Sequence, residues 1–305
     1  MTSRTADNAA VRHRRAAELA AAQARASRRR RVAAAVVAIV LVALAVGGLV
    51  AAKVAGVGSG TDQAAASSDA AAAVIRDVTK VPAATLDEVG AGTTTTVPQQ
   101  IDAPDLTADG KPQVLYVGAE YCPFCAAERW PLVVALSRFG TWSGLSETES
   151  AADDVYPGTK TLSFHGATYR SDLLSFTGVE TSTNTRVNGQ YEPLDTLSAR
   201  DQRTFQTYAQ PPYTTGPAGA IPFLDIGGRY ALAGATVRPD LLTGKSQRQI
   251  AHALTTPANP MSQSVNGSAN VLTAALCELT DGQPTQVCTA TGVRSAADPL
   301  ASGGS

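Results

Sequence analysis

Residues 111–139 read KPQVLYVGAEYCPFCAAERWPLVVALSRF, and this stretch decides the fold. The segment 113–118 is apolar and β-branched between turn signals, which predicts a buried strand. The segment after Cys122 predicts a helix, because Pro123 fits a first helical turn, where its missing N–H costs nothing. The stretch therefore predicts a strand, a pair of cysteines and a helix, in that order.

Cys122 and Cys125 are separated by two residues at the start of this predicted helix. Unpaired backbone N–H groups and the positive end of the helix dipole would stabilise a thiolate there and lower its pKa. We expect Cys122, nearer the helix end and the solvent, to attack a disulfide. Cys125, partly buried, would then resolve the mixed disulfide. A purely structural bridge is the alternative, and a zinc knuckle would need a second pair at close spacing.

Downstream, the order of predicted elements indicates a mixed sheet with helices on its faces, the α/β class. Residues 140–157 are predicted to form a loop. The candidate strands are 161–165, 173–179, 221–226 and 229–233, and the candidate helices are 71–80, 198–209, 246–255 and 262–280.

The formal net charge of −1 hides a strong asymmetry along the chain. Residues 1–31 carry nine arginines against two acidic residues, whereas the rest of the chain is acidic. Residues 32–52 contain no charge, and a helix of this length crosses a bilayer core of about 30 Å. The arginines before this run predict a cytoplasmic N-terminus and an extracytoplasmic remainder. A cleaved signal peptide and a buried core helix are the alternatives.

Composition then divides the chain into five parts. We expect a basic cytoplasmic arm (1–31), a transmembrane helix (32–52), a flexible linker (53–71), a folded extracytoplasmic domain (72–292) and a flexible tail (293–305). In this arrangement the arm orients the anchor, and we expect no nucleic acid as partner.

The segments AEYCPFC and AIPFLDIGGRYAL, nearly 100 residues apart, resemble the thioredoxin superfamily. The resemblance implies a thioredoxin-like fold with insertions, with Cys122 as nucleophile, Cys125 as resolving thiol and Pro222 as the cis-proline beside them. A trans proline at the start of a strand fits the local sequence equally well. More closely, residues 110–130 resemble an uncharacterised thioredoxin-like family of actinobacterial membrane proteins, and that resemblance covers about residues 72–290.

The chain departs from ordinary thioredoxins at Tyr116, six residues before Cys122, where they carry a buried acid. Without that proton acceptor, efficient reductase activity is not expected. Glu120 and Glu128 are candidates for a proton relay, although solvated surface carboxylates are the favoured interpretation of both.

Cys277 and Cys288 bracket turn signals at 281–284 and predict a structural disulfide in an oxidising compartment. A redox relay to the first pair and two free thiols are the alternatives. The sequence contains no P-loop, GxGxxG, HExxH or GxSxG motif, and we expect neither a cofactor nor a bound metal.

These features predict a membrane-anchored thiol–disulfide oxidoreductase, with a disulfide donor or isomerase favoured. Its partners would be exported client proteins or a membrane redox partner. The alternative is a redox-inactive thioredoxin-like scaffold that serves as a binding or assembly module in a cell-envelope complex. An exposed Cys122 with a lowered pKa would favour the enzyme, and a covered Cys122 would favour the scaffold.

Overall fold

The computed structural model describes residues 69–302, and its longest strand, β3 (Lys111–Gly118), is the centre of a six-stranded sheet. β8 (Ser175–Glu180) runs parallel to β3, whereas β11 (Phe223–Ile226) is antiparallel to it. Three further strands complete the sheet: β12 (Tyr230–Ala233) beside β11, β1 (Gln99–Gln100) beside β12, and β2 (Thr107–Ala108) against the start of β3. The mixed sheet predicted from the sequence is confirmed.

Side chains alternate across the two faces of β3, as the two-residue period of a strand requires. Tyr116 faces the larger hydrophobic cluster, to which α3 (Pro123–Leu136) contributes seven of its side chains. Leu115 faces a smaller cluster on the opposite side, against which α4 (Ala199–Tyr208) packs. Helices therefore cover both faces of the sheet.

The larger cluster extends to α6 (Pro260–Leu279), a long helix that α3 packs against. Serine, threonine and asparagine side chains inside α6 are buried together with its apolar ones. The helical elements around it are α1 (69–79), α2 (Ala83–Val89), a 3-10 turn (Pro239–Leu242), α5 (Gln247–Ala253), α6 itself (Pro260–Leu279), α7 (Thr285–Cys288) and α8 (Thr291–Ser302).

The flexible tail predicted from residue 293 onward is wrong for the residues that the structure describes. Residues 291–302 form α8, which packs on α6. Val293, Ala296 and Leu300 are buried at a spacing of three and four residues. One face of α8 is therefore covered by the core, and this burial keeps a polar, alanine-containing segment helical.

The loop predicted over residues 140–157 is also wrong in part. β4 (Thr141–Ser143) pairs with β7 (Thr168–Arg170), and β5 (Ser146–Glu149) pairs with β6 (Lys160–Ser163). Trp142 packs on the ring of Phe164, with centroids 5.5 Å apart. Short polar strands such as these depend on their cross-strand partners more than on intrinsic propensity, so their own sequence predicts them poorly.

Between these strands and α4 lies a further hairpin, formed by β9 (Ser182–Val187) and β10 (Gln190–Pro193).

Within residues 69–302, no helix is both long and apolar enough to cross a bilayer. The predicted arm (1–31) and anchor (32–52) lie outside the described residues, as does most of the predicted linker.

Candidate active site around Cys122 and Cys125

Cys122 is the N-cap residue of α3, directly after the turn that follows β3. Its backbone is extended, with φ −79° and ψ 121°, and its Sγ accepts a hydrogen bond from the N–H of Cys125 at 3.2 Å. Pro123 occupies the first helical turn, where no N–H is needed. The thiol therefore lies against the unpaired N–H groups of the helix end, as the sequence predicts.

The two thiols lie in unequal environments. Hydrogen bonds from the thiol and the N–H of Cys125 lower the pKa of Cys122, and the charge of Arg129 lowers it further, whereas burial opposes them. Burial raises the pKa of Cys125, and the neighbouring Cys122 raises it again. Cys122 is therefore the more acidic thiol, which suits the attacking role.

Cys122 is more covered than the sequence predicts, because only 6% of it is exposed, and Cys125 is fully buried. Little of the Cys122 side chain is thus accessible to a client or a reagent. Cys122 is nearer the solvent than Cys125, as the sequence predicts, and its pKa is lowered, but its thiol is not openly exposed.

The two residues that precede β11 lie beside the dithiol. The Sγ of Cys122 lies 3.9 Å from the carbonyl oxygen of Ile221, at the distance limit of a thiol hydrogen bond. The Ile221–Pro222 peptide bond is cis. Residues that are 99 positions apart in the sequence are thus neighbours, and Pro222 lies next to the dithiol.

A buried ion pair lies beneath the dithiol. Arg129, one turn after Cys125, donates to Glu180 at the end of β8 through Nε at 2.8 Å and Nη2 at 2.6 Å. Both side chains are fully buried. Burial alone would lower the pKa of Arg129, but the charge and the hydrogen bonds of Glu180, together with smaller contributions from Tyr116 and Cys125, outweigh it and raise that pKa, so the guanidinium stays charged.

Neither member of this pair is among the site residues that the sequence predicts. A signal was present for Arg129, because position i+4 from Cys125 lies on the same helix face. Glu180 ends a strand parallel to β3, so its position at the same sheet edge depends on the pairing of β8 with β3. That pairing is a tertiary feature.

Tyr116 occupies the position where an acid was expected by comparison with thioredoxins. Its ring is fully buried, and its centroid lies 5.9 Å from Cζ of Arg129. Burial raises the pKa of Tyr116 well above its usual value, while Arg129 opposes the shift. The phenol is therefore neutral and does not replace a carboxylate as proton acceptor.

The interpretation of Glu128 as a solvated surface residue is wrong. Glu128 is fully buried in α3, and burial raises its pKa to about 8. Its Oε2 accepts hydrogen bonds from the N–H and the hydroxyl of Thr236, both at 2.7 Å. Glu120 is half-buried, and its N–H donates to the carbonyl of Ser182. These contacts provide no relay to the dithiol.

Two segments border the dithiol outside the central sheet, and the first of them is the loop 150–158. The N–H of Ala151 donates to the carbonyl of Tyr121 at 2.9 Å, which attaches this loop to the residue before Cys122. Phe124, between the cysteines, is 40% exposed and meets Tyr156 of the loop edge-on. The β9–β10 hairpin is the second segment, because Tyr191 stacks on Tyr121.

The second cysteine pair belongs to another part of the fold. The structure joins Cys277, near the end of α6, to Cys288 of α7 in a disulfide, as the sequence predicts. Both half-cystines pack against the larger hydrophobic cluster. Among residues 69–302, no group of three or more His, Cys, Asp or Glu side chains is arranged to hold a metal ion.

Comparison with known proteins gives one match. The domain of unknown function DUF929 matches residues 98–278, a segment that contains Cys122, Cys125, Ile221–Pro222 and Cys277 and ends before Cys288. No curated protein and no solved structure matches the chain. Because the matched segment is more than half of the chain, the protein belongs to the DUF929 family.

Proposed function

We propose that this protein is a thioredoxin-like thiol–disulfide oxidoreductase in which Cys122 attacks and Cys125 resolves. One observation carries the proposal: the Sγ of Cys122 caps a helix and accepts the N–H of Cys125, while Cys125 itself is fully buried. The thiolate of Cys122 is thereby stabilised at the end of the helix, and the thiol of Cys125 stays protonated in the interior behind it.

Three features of the fold support the thioredoxin-like assignment. The dithiol follows β3 and opens α3, the central sheet is mixed, and a cis X-Pro bond precedes β11 beside Cys122. The carbonyl of Ile221 next to Cys122 offers a backbone acceptor to an extended client chain.

In the proposed exchange, the Cys122 thiolate attacks one sulfur of a client disulfide and releases the other as a thiolate. Cys125 then loses its proton to solvent, and its thiolate attacks the Cys122 sulfur of the mixed disulfide. The client leaves with two thiols, and Cys122 and Cys125 are left as a disulfide. The reverse sequence transfers that disulfide to a reduced client.

The reverse direction, disulfide donation or isomerisation, is the one we favour. A stabilised Cys122 thiolate stabilises the reduced dithiol, which makes the disulfide form the stronger oxidant. Neither Tyr116 nor Glu128 supplies a carboxylate to deprotonate Cys125, the step that a reductase needs. A reduction potential of about −120 mV for the Cys122–Cys125 pair would match an oxidant, and one of about −270 mV would match a reductase.

The Cys277–Cys288 disulfide supports an oxidising compartment, since structural disulfides are rare in the cytosol. Together with the apolar run 32–52 and its arginine flank, it supports a single-pass protein with the folded domain outside the cell membrane. Clients would then be exported proteins or a membrane redox partner.

A binding or assembly module is the second candidate, and it is favoured by the 6% exposure of Cys122. The two functions differ in what the thiols do. Cys125→Ser should trap mixed disulfides between Cys122 and clients, whereas Cys122→Ser should trap none. Equal trapping by both variants, or by neither, would exclude thiol exchange and leave the binding module.

A further inference from the structure

We propose that Arg129 is a positioning residue of the dithiol: its buried cation holds the turn that carries Cys122 and tunes the reduction potential of the Cys122–Cys125 pair. The inference rests on the proposed thiol exchange and names the group that regulates it.

The geometric basis is one shared acceptor. The carbonyl oxygen of Ala119 accepts the N–H of Cys122 at 3.2 Å and Nη2 of Arg129 at 2.8 Å. Arg129 also lies four residues after Cys125, on the same face of α3. The guanidinium of Arg129 therefore shares an acceptor with the N–H of Cys122 in the turn, and it lies one helical turn from Cys125.

The cation is held in a fixed orientation. Glu180 accepts both Nε and Nη2 of Arg129, a two-bond arrangement that favours one orientation of the planar group. The remaining nitrogen, Nη1, is buried and has no hydrogen-bond partner among the described residues. The guanidinium therefore has one orientation beneath the turn, set by Glu180 and by the carbonyl of Ala119.

The charge acts in a protein interior, where interactions between charges are stronger than in water. It lowers the pKa of Cys122 and opposes the rise in the pKa of Cys125, while Glu180 raises the pKa of Cys125. The other titratable groups near the cysteines are Tyr116 beneath them and Tyr121 before them, and burial raises the pKa of both phenols. Arg129 is therefore a cation whose charge favours the thiolate of both cysteines, against the burial that disfavours it.

The test compares charge variants of the full-length chain in detergent. The alkylation rate of Cys122 is followed against pH by mass spectrometry of its peptide, starting from the reduced dithiol. The redox equilibrium with glutathione is measured in parallel, at a pH well above the Cys122 midpoint of every variant. Both readouts report the thiolate rather than overall stability.

For Arg129→Met we expect the Cys122 midpoint to rise by about one pH unit. The equilibrium should move about tenfold toward the disulfide form, which corresponds to about 30 mV in the reducing direction. For Glu180→Gln we expect the opposite sign in both readouts, because the cation loses its counter-charge. Arg129→Lys keeps the charge and should recover most of the wild-type midpoint.

A matched control is Arg138→Met, which removes a largely buried arginine that binds Asn270 and Thr273 instead. This variant should leave both readouts unchanged.

If a single variant fails to fold, Arg129→Met combined with Glu180→Met leaves no unpaired buried charge, and we expect a smaller rise of the Cys122 midpoint than in Arg129→Met alone. Folded Arg129 and Glu180 variants that shift in the same direction, or not at all, would overturn the role of Arg129. Failure of client trapping by Cys125→Ser would instead overturn the thiol exchange.

Discussion

The ring of Tyr121 stacks on the ring of Tyr191, with centroids 4.1 Å apart and planes inclined by 1°. Tyr121 precedes Cys122, and Tyr191 belongs to the β9–β10 hairpin. Arg186 of the same hairpin covers Tyr191 at 4.0 Å and forms an ion pair with Asp153 of the loop 150–158. The hairpin and the loop are thus attached to each other and to the residue before the dithiol.

Replacing Tyr191 with Ala should open the approach to Cys122. The variant loses a stacked pair worth about 0.5–1.5 kcal/mol, which loosens the hairpin against Tyr121. We expect Cys122 to be alkylated several times faster at a fixed pH, while Tyr208→Ala, on the opposite face of the sheet, changes nothing. An unchanged rate in Tyr191→Ala would show that other groups cover the sulfur.

The two thiols should react in different pH ranges. The pKa of Cys122 is lowered by hydrogen bonds from Cys125, and the pKa of Cys125 is raised by burial. In the reduced protein we expect iodoacetamide to label Cys122 at a pH at which Cys125 is still unlabelled, with each peptide quantified by mass spectrometry. Labelling of Cys125 first would reverse the assignment of attacking and resolving thiols.

Glu128 should make the fold less stable as the pH rises. Its pKa is raised by burial from 4.5 to about 8, so between these values the folded state holds a proton that the unfolded state has lost. The stabilising contribution is complete below the unfolded pKa and is lost as the pH rises through the folded one. In that range the free energy of unfolding should fall by about 1.4 kcal/mol per pH unit from this group.

Glu128→Gln separates this effect from other titrations, because the amide oxygen can still accept from Thr236 but carries no proton to lose. Urea unfolding at pH 5, 6 and 7.5 should show a smaller fall for the variant than for the wild type. Parallel pH dependences of the two proteins would mean that Glu128 does not titrate as described.

Removing the Cys277–Cys288 disulfide should weaken the fold without stopping thiol exchange. The bridge closes a short loop, with a sequence separation of 11, and the chain-entropy model assigns such a loop about 2–3 kcal/mol. We expect Cys277→Ala with Cys288→Ala to lower the midpoint of urea unfolding and to leave trapping by Cys125→Ser intact. Lost trapping in a folded variant would favour the relay interpretation of this pair.

The topology prediction is tested by a reporter fused after Ser305. The charge-free run 32–52 with arginines before it predicts a retained anchor and an extracytoplasmic C-terminus. An enzyme that is active only outside the cytoplasm should therefore be active in this fusion. Activity of a reporter that works only in the cytoplasm would contradict the orientation.

Features that depend on a few adjacent residues were predictable from the sequence. The strand, the dithiol and the helix around Cys122 follow from apolar pattern and proline placement, and Ser198 caps α4 through the N–H of Asp201, as its residue type predicts. The hairpin turn between β11 and β12 follows from its two glycines, Gly227 and Gly228, both of which have a positive φ.

Features that depend on distant segments were decided by the tertiary structure alone. Arg129 and Glu180 are 51 residues apart in the sequence, and only the pairing of β8 with β3 brings them together. Glu128 is an ordinary helical glutamate by its sequence, but the fold buries it beside Thr236, 108 residues away, and this burial raises its pKa. Local propensity acts over a few residues, whereas burial, ion pairing and pKa depend on which segments the fold packs against each other. The sequence alone therefore determined that the dithiol lies between a strand and the start of a helix. The packing of the sheet decided that Arg129 and Glu180 lie beneath it.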